Sequence, residues 1–144
     1  APARRRPAGT IMAAMMTPIL SVAVGGALGS VLRYAMGTAM TAHAAAAWGS
    51  RFPLGTFAVN LLGSLLIGLV AGMADKHAAL SPELRLFLVT GVLGGYTTFS
   101  SFGLETVMLL KGGQWGLAAA YVLGSVVLGL ALVALGWWLA GPAA

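Results

Sequence analysis

The stretch Gly94-Gly95-Tyr96-Thr97-Thr98-Phe99 lies in the middle of an apolar segment that runs from about residue 83 to 110. This segment exceeds the roughly 20 residues that a helix needs to cross a bilayer. Two glycines followed by β-branched threonines disfavour a continuous helix at its centre. Because enough residues remain on each side to form a helix, we predict a membrane helix that is broken at 94–98 rather than merely kinked.

Three further segments are long and apolar enough to span a membrane. They run from about 19 to 42, from 54 to 73 and from 114 to 139. The chain is 59% hydrophobic and only 8% charged, and so few charges could not coat a soluble globule. The sequence therefore predicts an all-α membrane protein with one domain of four transmembrane helices over residues 18–140.

Residues 1–17 begin with a polar, Pro- and Arg-rich stretch, and we predict that they form a flexible N-terminal extension. A signal peptide is the alternative, because a basic stretch precedes an apolar one. The apolar run after Pro18 is longer than a signal core and contains Arg33, which disfavours this alternative. Whether residues 1–11 belong to the mature protein stays open at this point.

The basic residues near the span ends are balanced between the two faces of the membrane. With four spans, Lys76 and Arg85 share one side, and Arg51 and Lys111 share the other. Unless the arginines at 4–6 belong to the mature protein, the positive-inside rule gives no preferred orientation. A chain that inserts both ways can pair with itself, and four helices are too few to enclose an aqueous path comfortably. We therefore predict an antiparallel, dual-topology homodimer.

The predicted break contains groups that could hold ions. Freed backbone carbonyls are hard oxygen ligands, and unwound membrane segments of this kind hold Na⁺. Just beyond the break, Phe99 and Phe102 are three residues apart and share a helix face. The positive edges of two aromatic rings could contact a small, partly dehydrated anion. Lipid contact is the alternative interpretation of each ring.

Polar residues within the other spans could serve the same anion. Asn60 lies in the middle of the second span, one turn after Thr56, and its amide could replace a hydration bond without neutralising the anion's charge. An interhelical hydrogen bond is an equally weighted alternative. Tyr121 and Ser125 form a similar pair, four residues apart, in the fourth span.

Two ionisable residues lie within the spans, where such groups are candidates for a functional role. Arg33 could concentrate anions at a pore mouth, or its side chain could reach the membrane interface. Glu105, one turn past Phe102, could pair with Arg33 or Lys111, or line an entrance. The sequence has no cysteine, and its two histidines fall in predicted loops, so no enzyme site emerges. Without a basic face, nucleic-acid binding is also disfavoured.

Three motifs resemble those of the fluoride-channel family known as CrcB or Fluc, in the order and spacing of that family. The resemblance covers essentially all of residues 19–139. The three stretches are GGALGSVLRY at 25–34, GTFAVNLLG at 55–63 and GGYTTFSSF at 94–102.

The resemblance implies a passive, fluoride-selective channel that exports F⁻ through the cell inner (plasma) membrane and lowers cytoplasmic fluoride. It implies an antiparallel homodimer with two pores and a central structural Na⁺ bound by the backbone carbonyls of Gly94 and Thr97. Pore or fluoride-contacting roles are implied for Phe99, Phe102, Asn60, Ser100, Ser101, Thr56, Tyr121 and Ser125. Vestibule or entrance roles are implied for Arg33 and Glu105.

The fourth helix departs from the family pattern, which often has further hydroxyl groups one and two turns past the serine. Gly129 and Val133 occupy these positions here.

Two rival functions are a small dual-topology drug/proton antiporter and a non-transporting assembly subunit. The antiporter would need a membrane-embedded carboxylate in its first helix, and this helix has none.

Overall fold

The computed structural model describes residues 8–48, 51–77 and 80–142, and the regular structure within these ranges is helical throughout. Helix α1 is Ala8–Trp48 and α2 is Leu54–His77. Helix α3 is a continuous helical stretch made of Pro82–Arg85, the π-helical Leu86–Leu93 and Gly94–Tyr96. Helix α4 is Phe99–Lys111 and α5 is Trp115–Ala140.

Four helical segments are long and apolar enough to cross a membrane: Met16–Ala46, Leu54–Asp75, Pro82–Lys111 and Trp115–Ala140. The third combines α3 and α4 and is interrupted between them. The predicted all-α architecture with four spans and an interrupted third span is therefore confirmed.

Helix α1 is longer than the sequence predicts. It begins at Ala8 rather than near residue 19, so the helix includes the second half of the predicted extension, and residues 1–7 lie outside the described residues. The prediction placed the start after Pro18, whereas Pro18 lies inside the helix. Proline is tolerated in membrane helices because neighbouring groups can satisfy the backbone carbonyl that it leaves free.

Local signals fix the start of α3 and the end of α4. The Ser81 hydroxyl accepts a hydrogen bond from the Leu84 amide at 3.2 Å, and Pro82 occupies the first helical position, which confirms the predicted helix start. At the end of α4, Gly113 has a φ of 72°. Its amide donates to the Leu110 carbonyl and the Gln114 amide to the Leu109 carbonyl, the bond pattern of a Schellman motif.

The interruption is shorter than predicted, because Gly94 and Gly95 are still helical and only Thr97 and Thr98 are extended. Gly95 serves close packing instead of conformational freedom. A Cβ on Gly95 would lie 3.0 Å from the Gly26 Cα of α1, so a side chain there would push the helices apart. The backbone changes direction at the β-branched threonines, which favour extended conformations.

The two halves of the third span pack against different helices: α3 lies mainly on α1, and α4 lies on α5. Helices α1 and α3 approach closely at Gly25, where a Cβ would lie 2.7 Å from the Phe87 carbonyl oxygen. Helix α4 contributes Leu109 to a buried cluster with Ala118 and Tyr121 of α5. The interruption therefore lets one membrane span satisfy two separate packing surfaces.

Helices α2 and α5 run parallel in close contact. Gly68 faces the Val133 backbone, and one turn later Gly72 faces the Trp137 carbonyl oxygen. At the same end, the Trp137 indole Nε1 donates to the Asp75 carboxylate at 2.9 Å. Because neither glycine has a side chain, the two backbones approach directly, and the polar residues of α2 and α5 share one interface.

Candidate functional site

Asn60 of α2 bridges the interrupted backbone of the third span. Its Oδ1 accepts from the Thr98 amide at 2.8 Å, and its Nδ2 donates to the Thr98 carbonyl at 3.0 Å. A backbone that leaves the helix within a membrane must find such partners. The interhelical hydrogen bond that the sequence left as an alternative is therefore formed. One Nδ2–H of the amide remains for another acceptor.

The first turn of α4 is held by hydroxyl groups. The Thr98 Oγ1 accepts from the Ser101 amide at 3.2 Å and caps the helix. The same oxygen lies 3.1 Å from the Ser101 hydroxyl and 3.3 Å from that of Ser100. Thr98 is only 8% exposed, so this cluster orients the start of α4 from inside the protein.

A cavity of about 380 Å³ opens beside the interruption, between α2, α3, α4 and α5. Predicted site residues from four helices line it together: Asn60, Gly94, Thr97, Phe99, Phe102 and Ser125. Two further polar residues on its wall, Ser64 and Thr98, received no role from the sequence. Ser64 follows Asn60 by four residues, and this helical spacing was the available signal.

The predicted aromatic pair lies at the edge of this cavity. The ring centroids of Phe99 and Phe102 are 5.6 Å apart, and Phe102 lies 5.1 Å from the ring of Tyr121. Phe99 is 84% exposed on the surface of the single chain, whereas Tyr121 is fully buried. The pair therefore runs from the protein interior to a surface next to the interrupted helix.

Glu105 joins three helices through hydroxyl partners. Its two carboxylate oxygens accept from the Thr56 hydroxyl at 2.7 Å and from the Tyr121 hydroxyl at 2.6 Å. Within the described residues, it forms no ion pair with Arg33 or Lys111, the two pairings considered from the sequence. These hydroxyl bonds also fix the Tyr121 ring that packs on Phe102.

Arg33 lies apart from the aromatic pair, in a second cavity of about 280 Å³ between α1, α2 and the start of α4. Thr56 and Ser101 line this cavity, together with the hydroxyl-bearing residues Ser30, Tyr34, Thr38 and Thr98. Because Thr98 lines both cavities, they meet at the interruption. The structure thus places the Phe99–Phe102 pair at one cavity and Arg33 at the other, with Thr98 lining both. The predicted residues Ser100, Glu105 and Tyr121 line neither cavity.

The sequence profile described as CrcB-like protein, Camphor Resistance (CrcB), matches residues 20–137. The chain is 48% identical over 122 residues to a protein of Methylobacillus flagellatus, covering 85% of this chain and 93% of that protein. It is 51% identical over 118 residues to one of Agrobacterium fabrum, covering 82% and 91% of the two chains.

A relative from Thermus thermophilus is 52% identical over 122 residues, which is 85% of this chain and 92% of the relative. All three relatives carry the name fluoride-specific ion channel FluC. Together with the four membrane-spanning helices, these similarities identify a multi-pass membrane protein. The family predicted from the three motifs is confirmed: the chain belongs to the CrcB-like family.

Proposed function

We propose that this protein is a fluoride-selective channel that lets F⁻ leave the cytoplasm passively through the cell inner (plasma) membrane. The relatives named as fluoride-specific ion channels support this proposal. The observation that carries it in the structure is the cavity beside the interrupted helix, where Asn60 and the Phe99–Phe102 pair lie together. HF that enters as a weak acid would dissociate inside, and the anion would leave through this path.

The cavity offers groups suited to a small, strongly hydrated anion. The remaining Asn60 Nδ2–H and the Ser125 hydroxyl can each replace a bond to water, and the aromatic rings can present their positive edges. None of these groups carries a full positive charge. Conduction needs several weak sites of this kind, because an anion that is held too tightly does not leave.

Thr56, Ser100, Ser101 and Tyr121 extend the proposed path with further hydroxyl groups. Arg33, in the second cavity, would attract anions towards the entrance by its charge. Glu105 would act by holding Thr56, which lines the same cavity as Arg33, and Tyr121 in place through its carboxylate. The proposed path therefore runs past the hydroxyl cluster of Thr98 and along the phenylalanine pair.

The proposal includes an antiparallel homodimer with dual topology. In the single chain Gly94, Phe99 and Ser100 are exposed although they lie in the middle of a membrane span. Lipid chains cannot satisfy the polar backbone near an interruption, so this surface needs another protein surface or an ion. A second copy related by a two-fold axis in the membrane plane would bring two such surfaces together, and the balanced charges of the loops permit that arrangement.

A structural Na⁺ held by the Gly94 and Thr97 carbonyls is also part of the proposal. In an unbroken helix these carbonyls would accept from the amides of Thr98 and Ser101, but those amides donate to Asn60 Oδ1 and Thr98 Oγ1. Backbone oxygens of this kind fit a hard cation. Within the described residues, no cluster of three His, Cys, Asp or Glu side chains offers another metal site. A bound Na⁺ would supply positive charge that holds the two interruptions together.

Fluoride efflux from liposomes, measured with a fluoride electrode, tests the proposal. Wild-type protein should make the liposomes permeable to F⁻ but not to Cl⁻. Phe99→Ile and Phe102→Ile should each abolish the efflux while the elution volume of the assembly in detergent stays unchanged. Phe87→Ile is the matched control, because this α3 residue lies outside both cavities.

Unchanged efflux in both pore variants would overturn the aromatic assignment. A wild-type protein that passes no fluoride would overturn the channel function and favour a non-transporting subunit. Drug transport driven by a proton gradient would favour the antiporter, although α1 contains no carboxylate.

A further inference from the structure

A stripe of polar residues follows one face of α2 and borders both cavities. Thr56, Asn60 and Ser64 are spaced by four residues, so their side chains lie above one another on the same helix face. Thr56 bonds to Glu105, and Asn60 bonds to Thr98. Ser64 is the one member of this stripe whose side chain forms no such bond within the described residues, although it lines the same cavity as Asn60.

The surface of α5 that faces α2 has polar side chains only up to the level just before Ser64. Tyr121 and Ser125 present hydroxyl groups, but Gly129, one turn further on, has no side chain. A Cβ built on Gly129 would lie 3.4 Å from the Ser64 Oγ. The Ser64 hydroxyl therefore lies next to the space that a side chain at position 129 of α5 would fill.

The Ser125 hydroxyl gives independent evidence that this part of the cavity is built for a ligand. Its Oγ is buried and has no hydrogen-bond partner among the described residues. A buried hydroxyl without a partner costs about 1–3 kcal/mol, so it is expected where another species completes its bonding. Ser64 and Ser125 line one cavity, with the ring of Phe102 on the same wall.

We propose that Ser64 is a further fluoride-contacting residue. Its hydroxyl supplies the hydrogen-bond donor that α5 lacks at the level of Gly129. The line of hydroxyl donors thus crosses from Ser125 on α5 to Ser64 on α2, the last hydroxyl-bearing residue of α2. This inference rests on the proposed function, because it takes fluoride as the anion in the cavity. It adds a donor beyond the level at which Asn60 holds the interruption.

Ser64→Ala should lower the rate of fluoride efflux roughly tenfold, the scale expected for losing one hydrogen bond to a charged group. Ser21→Ala is the matched control, because Ser21 lies on α1 outside both cavities. The fluoride efflux of this variant should equal that of the wild-type protein. The double variant Ser64→Ala/Gly129→Ser returns a hydroxyl to the same place from the other helix and should recover most of the lost rate. Gly129→Ser alone tests whether the serine is tolerated there.

Rescue by the double variant is the decisive readout when it is compared with Ser64→Ala/Gly129→Ala, which adds a Cβ beside position 64 without a hydroxyl and should stay slow. Efflux in Ser64→Ala equal to that in Ser21→Ala would overturn the inference while leaving the channel function in place. A double variant that has the elution volume of wild type but a fluoride efflux as slow as that of Ser64→Ala would also overturn the inference.

If the double variant does not fold, Ser64→Thr replaces it. Retained fluoride efflux in Ser64→Thr supports a hydroxyl role, and a loss equal to that of Ser64→Ala contradicts it. Absence of fluoride efflux in wild type would instead reject the proposed function itself.

Discussion

Replacing Asn60 with leucine would leave the Thr98 backbone without both of its partners on α2. The Thr98 amide donates to Asn60 at 2.8 Å, and its carbonyl accepts from Asn60 at 3.0 Å. Thr98 is 8% exposed, so water does not readily replace these bonds. A buried polar group that loses its partner costs about 1–3 kcal/mol, and two such groups give an expected loss of about 2–6 kcal/mol.

The loss in free energy of unfolding can be measured by reversible unfolding in mixed dodecyl maltoside and SDS micelles, followed by circular dichroism. Asn60→Asp should also be less stable than wild type, because a carboxylate still accepts from the Thr98 amide but repels the Thr98 carbonyl, and its charge lies within a membrane span. Thr106→Val is the control, because it removes a 2.8 Å bond to the Phe102 carbonyl, which keeps its helical partner. If Asn60→Leu were no less stable than Thr106→Val, Asn60 would not be what supports the interruption.

Two other contacts of the site give further predictions in the same unfolding assay. Gly63→Ala should destabilise the protein by about 1–3 kcal/mol, because the new Cβ would overlap the Thr97 side chain at the interruption. Gly103→Ala meets no neighbouring atom within 4 Å and should not destabilise it, so equal losses would contradict the steric explanation. Tyr121→Phe keeps the ring but removes the 2.6 Å bond to Glu105, and should cost about 1–2 kcal/mol. An unchanged free energy of unfolding in Tyr121→Phe would mean that packing of the ring alone, without the hydroxyl bond, stabilises this position.

Much of the architecture follows from patterns that are local in sequence. The length of the apolar runs predicts four spans, because the thickness of the bilayer sets the number of residues required. Ser81 and Pro82 predict the start of α3, because capping depends on neighbouring residues only. The three motifs were also sufficient to identify the family. Each of these inferences depends on short-range chemistry or on a contiguous stretch of residues.

The features that the sequence missed depend on contacts between distant segments. Gly94 and Gly95 looked like the source of the break, whereas Gly95 lies in a helix and makes room for the α1 backbone at Gly26. The π-helical turn at Leu86–Leu93 likewise lies on α1, and its sequence contains no local signal for it. Glycine composition alone does not distinguish flexibility from close packing, because both need a missing side chain.

The polar partners were the other part that could not be predicted. The two hydroxyl bonds of Glu105 join Thr56 and Tyr121, which are far apart in the chain. A carboxylate in a membrane span suggested a basic partner, since opposite charges are the usual compensation. The fold instead surrounds it with hydroxyl groups, and only the packing of α2, α4 and α5 brings them together.

The two extended residues between α3 and α4 also change where partial charges lie in the membrane. An unbroken helix over the 30 residues of this span would place the ends of its dipole about 45 Å apart, near the two membrane surfaces. The interruption instead brings the negative carboxyl end of α3 and the positive amino end of α4 to the centre of the span, each equivalent to roughly half an elementary charge. The middle of this membrane protein thus carries a fixed pair of opposite partial charges that comes from the backbone alone.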